Sequence, residues 1–366
     1  MNKELFKNEE KAIFTLRALY KQYGYLPFKM SKFEEYDLYV QNKDFLVSDR
    51  VITFNDTNGK LLALKPDVTL SIIKNTAFES GCKQKVYYNE NVYRVSPSTH
   101  QFKEIMQTGL ECIGDIDLYD IFEVVYLGAK SLACVSEDFS LDVSDMAILS
   151  AILDSVSDDE MFKKEITRLI SEKNRHEAIA LCKKYALDDE SIDALVSLTG
   201  MYGEMSRVLE MLSPICKGEK AQVAYERLKA LCTLLLSTEY ASKIKLDFSL
   251  VNDMNYYNGI VFKGFLNGIP EGVLSGGEYG TLMQKMGRRG DAIGFALYLD
   301  TLEALDKSTR DFDVDTLLIY DDKTDASRII EAKNNLIAQG KSVSAQRAIP
   351  QKLRYKEAID LRGADK

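Results

Sequence analysis

Apolar residues at Leu5, Ile13, Leu16, Leu19 and Tyr20 recur near helical spacing, and Gly24 follows as a stop, so the pattern predicts a helix over residues 3–24. The period then changes. VITFND (51–56) and LLAL (61–64), separated by a turn at Asn58-Gly59, predict a β-hairpin. Pro66-Asp67 ends the second strand, and VTLSIIKNTAF (68–78) predicts a helix. KVYYNENVYRV (85–95) and EIMQTGLECIG (104–114) predict two strands joined by the polar loop SPSTHQFK (96–103), followed by a long buried helix over 119–135. From about 150 to 240 the texture is helical throughout, with charge pairs at helical spacing. Strand patterns return at IKLDFSLV (244–251) and YYNGIVFKGF (256–265), then comes LSGGEYG (274–280), expected as a glycine-rich turn. The last part, VDTLLIY, DASRIIEAKNNLIAQG and KSVSAQRA, predicts a small βαβ piece.

Composition narrows the chemistry. The chain has 366 residues and a net charge of −9, which lowers the expectation of a broad nucleic-acid surface. With only two histidines, His100 and His176, a multi-histidine metal centre is excluded, and neither residue has a nucleophile pattern beside it. No metal and no cofactor is expected. None of the six cysteines forms a CxxC pair, and Cys112, Cys134 and Cys232 sit in apolar runs that predict buried, reduced thiols. No stretch approaches the roughly 18 apolar residues of a membrane span, and the first ten residues are no secretory leader, so a cytoplasmic location is expected.

The most informative strand is 104–114. At period two, Ile105, Gln107, Gly109, Glu111 and Ile113 share a face. Unpaired burial of Gln or Glu costs about 1–3 kcal/mol per group, so this face is either a ligand site or a solvated face with Met106, Leu110 and Cys112 packed inward. Arg94 ends the paired strand and is either a surface residue or a holder of phosphate or carboxylate. Gly276-Gly277 permits a tight turn or close backbone approach. Tyr256-Tyr257 is expected as core and rim.

LLALKPDVT (61–69), KVYYNENVYR with EIMQTGLECIG (85–114), VNDMNYYNGIVF (251–262) and GGEYGTLMQKMG with AIGFALYLDTL (276–302) together resemble histidyl-tRNA synthetase, in that family's order. The resemblance implies an α+β fold: a class II aminoacyl-tRNA synthetase-like antiparallel sheet flanked by helices. It implies a core of residues 1–149 and 241–306, a helical insertion over 150–240, and a truncated α/β C-terminal domain over 307–366. The family's first motif is weak here, with Glu34 kept but Ser31 where proline is usual. Asn252 and Thr301 occupy positions where the family carries arginines, and Ser96 replaces the acidic residue that reads adenine. Losing one preorganised group costs roughly 10²–10³ in rate, so amino-acid activation should be negligible and no residue is expected to be catalytic. The amino-acid pocket is kept: the resemblance assigns Asp67, Thr69, Arg94, Gln107, Glu111, Tyr256 and Tyr257 to histidine binding.

A kept pocket, lost ATP chemistry and a shortened tail resemble one paralogous family, the regulatory subunits of ATP phosphoribosyltransferase. That resemblance implies a homodimer joining a short catalytic subunit in a hetero-octamer, required for its activity and relaying histidine feedback in histidine biosynthesis, with no tRNA and no membrane partner. Two alternatives stand beside it: an active histidyl-tRNA synthetase, and a stand-alone histidine-sensing or RNA-binding module.

Overall fold

The computed structural model describes residues 8–46, 50–76, 81–95, 99–251, 256–305 and 312–363. Contacts divide the chain into two compact units, Met1–Leu305 and Asp306–Lys366.

The first unit is built on a nine-stranded sheet. Its strand order is Leu26–Pro27, Lys83–Val95, Phe102–Gly114, Asp291–Tyr298, Leu274–Glu278, Ile260–Leu266, Phe139–Asp145, Ile244–Asp247 and Tyr202–Glu204. The central ladders are antiparallel, as expected. Near the two margins the sheet is mixed, because Leu26–Pro27 runs parallel to Lys83–Val95, and Ile244–Asp247 parallel to Phe139–Asp145.

Both faces of the centre are covered. Tyr87, Leu110 and Cys112 pack with helices Asn8–Gln22 and Leu118–Val135 on one side. Val86, Tyr88 and Ile113 pack with helices Thr69–Asn75 and Gly280–Lys285 on the other. Alternate residues of the same strands therefore enter two different cores. The long helix starts where Asp117 accepts from the Tyr119 and Asp120 amides while Asp120 accepts from the Asp117 amide, a reciprocal cap that fixes its register under the sheet.

Several local expectations are corrected. LSGGEYG is not a turn: Leu274–Glu278 is an interior strand. Glycine suits it because a Cβ on Gly276 would stand 2.5 Å from Phe295 Cβ, and one on Gly277 2.6 Å from Tyr257 Cδ1. The strand Phe139–Asp145 went unpredicted. The stretch from 150 to 240 is not helical throughout, since Tyr202–Glu204 adds an edge strand to the main sheet. Cys134, next to the last residue of helix Leu118–Val135, is exposed rather than buried, whereas Cys112 and Cys232 are buried. The hairpin forms as Thr53–Asn55 and Leu61–Leu64, with Phe33–Glu35 as third strand. In the second unit, Val314–Ile319 and Val343–Gln346 are parallel strands linked by helix Ala326–Ala338, and Tyr355–Asp360 adds an unpredicted third. Among the described residues no helix is long and apolar enough to cross a membrane.

Candidate functional site

On the face of the sheet away from the long helix lies a cavity of about 380 Å³. All seven residues assigned to ligand binding line it: Asp67, Thr69, Arg94, Gln107, Glu111, Tyr256 and Tyr257. The polar face of the central strand is buried. Gln107 and Glu111 are each 2% exposed and so are not solvated, while Leu110 and Cys112 fill the opposite core.

Each side chain is positioned by a local device. Asp67 precedes helix Thr69–Asn75, and its Oδ1 accepts from the Leu70 amide at 2.9 Å. Thr69, at the start of that helix, donates from Oγ1 to Glu111 Oε1 at 3.2 Å. The Tyr279 hydroxyl donates to Glu111 Oε2 at 2.5 Å. Gly294 is the ladder partner of Glu111 and lets the carboxylate lie against the strand, where any Cβ would overlap it. Arg94 donates from Nε to the Pro66 carbonyl at 2.7 Å and stands 3.6 Å from Asp67 Oδ2. Tyr256 packs on Tyr257, ring centroids 4.5 Å apart, and faces Phe45 and Tyr279.

Gln107 differs from the rest. Its Nε2 is buried and finds no hydrogen-bond partner among the described residues. A buried amide donor left unpaired costs about 1–3 kcal/mol, so an acceptor on a ligand is its natural complement.

The electrostatics point the same way. Burial pushes the Glu111 carboxyl up to about 8, with nearby Asp67 adding to the rise and the Tyr279 and Thr69 hydroxyls opposing it. Burial also raises the Asp67 carboxyl, against the Arg94 guanidinium and the Leu70 and Thr69 amides. Two buried carboxyl groups thus share a cavity with one guanidinium, which is already engaged by Asp67 and the Pro66 carbonyl. The arrangement suits a small ligand with a cationic group and a separate acceptor, held among tyrosine rings.

Sequence reasoning missed Tyr279, Tyr88, Tyr298, Phe45 and Gly294, which also line the cavity. Gly109 leaves no space for a ligand between Gln107 and Glu111: Tyr88, its ladder partner, lays its hydroxyl end over that glycine. Thr301 stands outside the lining and donates to the Tyr298 carbonyl at 2.6 Å. Ser96 and Asn252 lie outside the described residues. His100 and His176 are exposed and stand outside the cavity lining.

The model of the histidyl-tRNA synthetase family matches residues 1–302. The chain belongs to this family. Relatives of the chain include ATP phosphoribosyltransferase regulatory subunits. That of Alkaliphilus metalliredigens is 28% identical over 287 residues, covering 76% of this chain and 72% of the relative. That of Clostridium kluyveri is 27% identical over 337 residues, covering 89% and 85%. Solved structures agree on the class II synthetase fold. One from Bacillus halodurans, described as an ATP phosphoribosyltransferase regulatory subunit/histidyl-tRNA synthetase, superposes with a TM-score of 0.77 at 24% identity, covering 99% of this chain and 96% of that one. A chain of the ATP phosphoribosyl transferase complex from Thermotoga maritima gives 0.63 at 20% identity, covering 80% and 98%.

Proposed function

We propose that this family member is the non-catalytic regulatory subunit of an ATP phosphoribosyltransferase, acting in the first step of histidine biosynthesis. It binds free histidine in the cavity through Asp67, Thr69, Arg94, Gln107, Glu111, Tyr256 and Tyr257. It is a homodimer that joins a short catalytic subunit in a hetero-octamer, is required for that subunit's activity, and relays feedback inhibition. The names of the relatives support the pairing, as does the Thermotoga maritima complex among the solved structures.

The observation that carries the cavity reading is its unbalanced lining. Two buried carboxyl groups and an unpaired Gln107 amide suit an ammonium and a carboxylate. Arg94 is the one cation lining the cavity among the described residues, and it is engaged by Asp67 and Pro66. A triphosphate carrying several negative charges finds little compensation there, which supports loss of amino-acid activation. Feedback then follows from linkage: histidine must bind two states of the complex unequally, and about 1–3 kcal/mol of coupling suffices.

The test is reconstitution. A short catalytic subunit should make phosphoribosyl-ATP only when this chain is added, and light scattering should show the larger assembly forming. The chain alone should catalyse no histidine-dependent ATP–pyrophosphate exchange. Robust exchange, with no effect on a catalytic subunit, establishes the ligase alternative instead.

A further inference from the structure

Behind the cavity wall lies a charge that does not line the cavity itself. Lys65 is 0% exposed, and its Nζ donates to Glu90 Oε2 at 2.9 Å. The two come from different elements: Lys65 follows strand Leu61–Leu64, and Glu90 sits in mid-strand Lys83–Val95. The main chain stitches the same segments together. Tyr93 donates its amide to the Lys65 carbonyl at 2.9 Å, and Lys65 donates its own to the Lys32 carbonyl at 3.1 Å. Arg94 Nε holds the next carbonyl, that of Pro66. Glu90 is also the ladder partner of Gln107. The turn carrying Asp67 is thus held at successive residues against the strand that pairs with the central one.

Replacing a buried ion pair by apolar side chains of similar volume is often neutral or stabilising, whereas removing one partner is costly. Stability alone is therefore a weak reason for such a pair beside a binding site. We propose that Lys65 and Glu90 are the positioning pair of the cavity: the contact of buried Lys65 with half-buried Glu90 sets the Lys65–Asp67 turn against the Gln107 register, so that Asp67 and Thr69 meet Glu111 at the spacing the ligand requires. The proposal rests on the reading of the cavity as an amino-acid site and adds what aligns it. Lys65 faces Glu90, Glu34 and Asp67, and Asp67 in turn faces Arg94, Lys65 and the Glu111 carboxyl. Lys65 thereby also helps to keep Asp67 ionised.

The experiment compares Lys65→Met, Glu90→Gln and the double variant Lys65→Met/Glu90→Met with wild type in the full chain. Three readouts are taken: thermal unfolding, calorimetric titration with histidine, and the carboxyl carbon-13 titration of Asp67. Lys65→Met should unfold at lower temperature, since it strands Glu90. The double variant should recover most of that loss yet bind histidine roughly ten-fold more weakly, in the range typical of outer-shell partners. Its Asp67 should titrate at higher pH than in wild type. A double variant with wild-type histidine affinity and an unmoved Asp67 titration makes the pair merely structural and overturns the proposal. If the double variant fails to fold, Glu90→Gln decides: weakened histidine binding supports positioning and unchanged binding overturns it. A wild-type chain that binds no histidine defeats the reading of the cavity itself, and the Asp67 titration then decides this inference alone.

Discussion

The Tyr279 hydroxyl donates to Glu111 Oε2 at 2.5 Å across the cavity, from the point where strand Leu274–Glu278 turns into helix Gly280–Lys285. Glu111 is on the central strand, and Thr69 donates to its other oxygen from a third element. A buried carboxyl group is therefore held from two sides by neutral hydroxyls rather than by a cation. Such a group is fixed in place but undercompensated, which is the condition for it to favour a cationic ligand.

The first prediction follows for ligand affinity. A charge-assisted hydrogen bond contributes about 1.5–3 kcal/mol, so Glu111→Gln should weaken histidine binding roughly 10–100-fold while the near-isosteric side chain keeps the fold. Calorimetric titration of both proteins, with circular dichroism as the fold check, measures this. Equal affinities mean that Glu111 only closes the sheet face.

A second prediction concerns pH. The Glu111 carboxyl is raised from its ordinary 4.5 to about 8 by burial. Between those values the unfolded chain has released a proton that the folded chain still holds, so stability falls as pH rises through that window and the penalty is complete above it. Glu111→Gln removes this contribution. The variant should melt above wild type at about pH 9, and the difference should shrink toward about pH 4, where both states of wild type are protonated. Melting curves that differ by a constant amount across this range contradict the assignment.

Not all of this was visible in the amino-acid sequence. The paired strands around Tyr88 and Gly109 showed themselves through alternation, and the helix after Asp117 through its apolar run. The alternation of Gln107 and Glu111 could not by itself separate a ligand face from a solvated one, because the deciding fact is what covers that face. Thr69, Tyr256 and Tyr279 arrive from elements far away in the chain. Gly276-Gly277 misled because glycine signals turns locally, whereas here the packing of Phe295 and Tyr257 across the sheet requires it. Phe139, Leu141 and Val143 did alternate, but in a short run beside polar residues that are also buried, such as Asp142 and Ser144. Resemblance to a family, not periodicity, joined the seven cavity residues into one candidate site.

A third prediction tests the fit of Glu111 against its neighbouring strand. Gly294 leaves no space for a Cβ, which would overlap the Glu111 carboxylate and lie 2.5 Å from the Leu110 carbonyl oxygen. Gly294→Ala should cost about 1–3 kcal/mol as overpacking, lowering the urea midpoint, and should abolish histidine binding by displacing the carboxylate. A variant with unchanged midpoint and affinity means that Glu111 has room to move.

The most direct measurement of the central claim is histidine inhibition of the reconstituted phosphoribosyltransferase, made with wild-type chain and with Glu111→Gln. The account predicts that both chains activate a short catalytic subunit equally, that histidine inhibits the wild-type assembly, and that the variant assembly needs roughly 10–100 times more histidine for the same inhibition. Identical inhibition curves, or a catalytic subunit whose activity ignores this chain, contradict it.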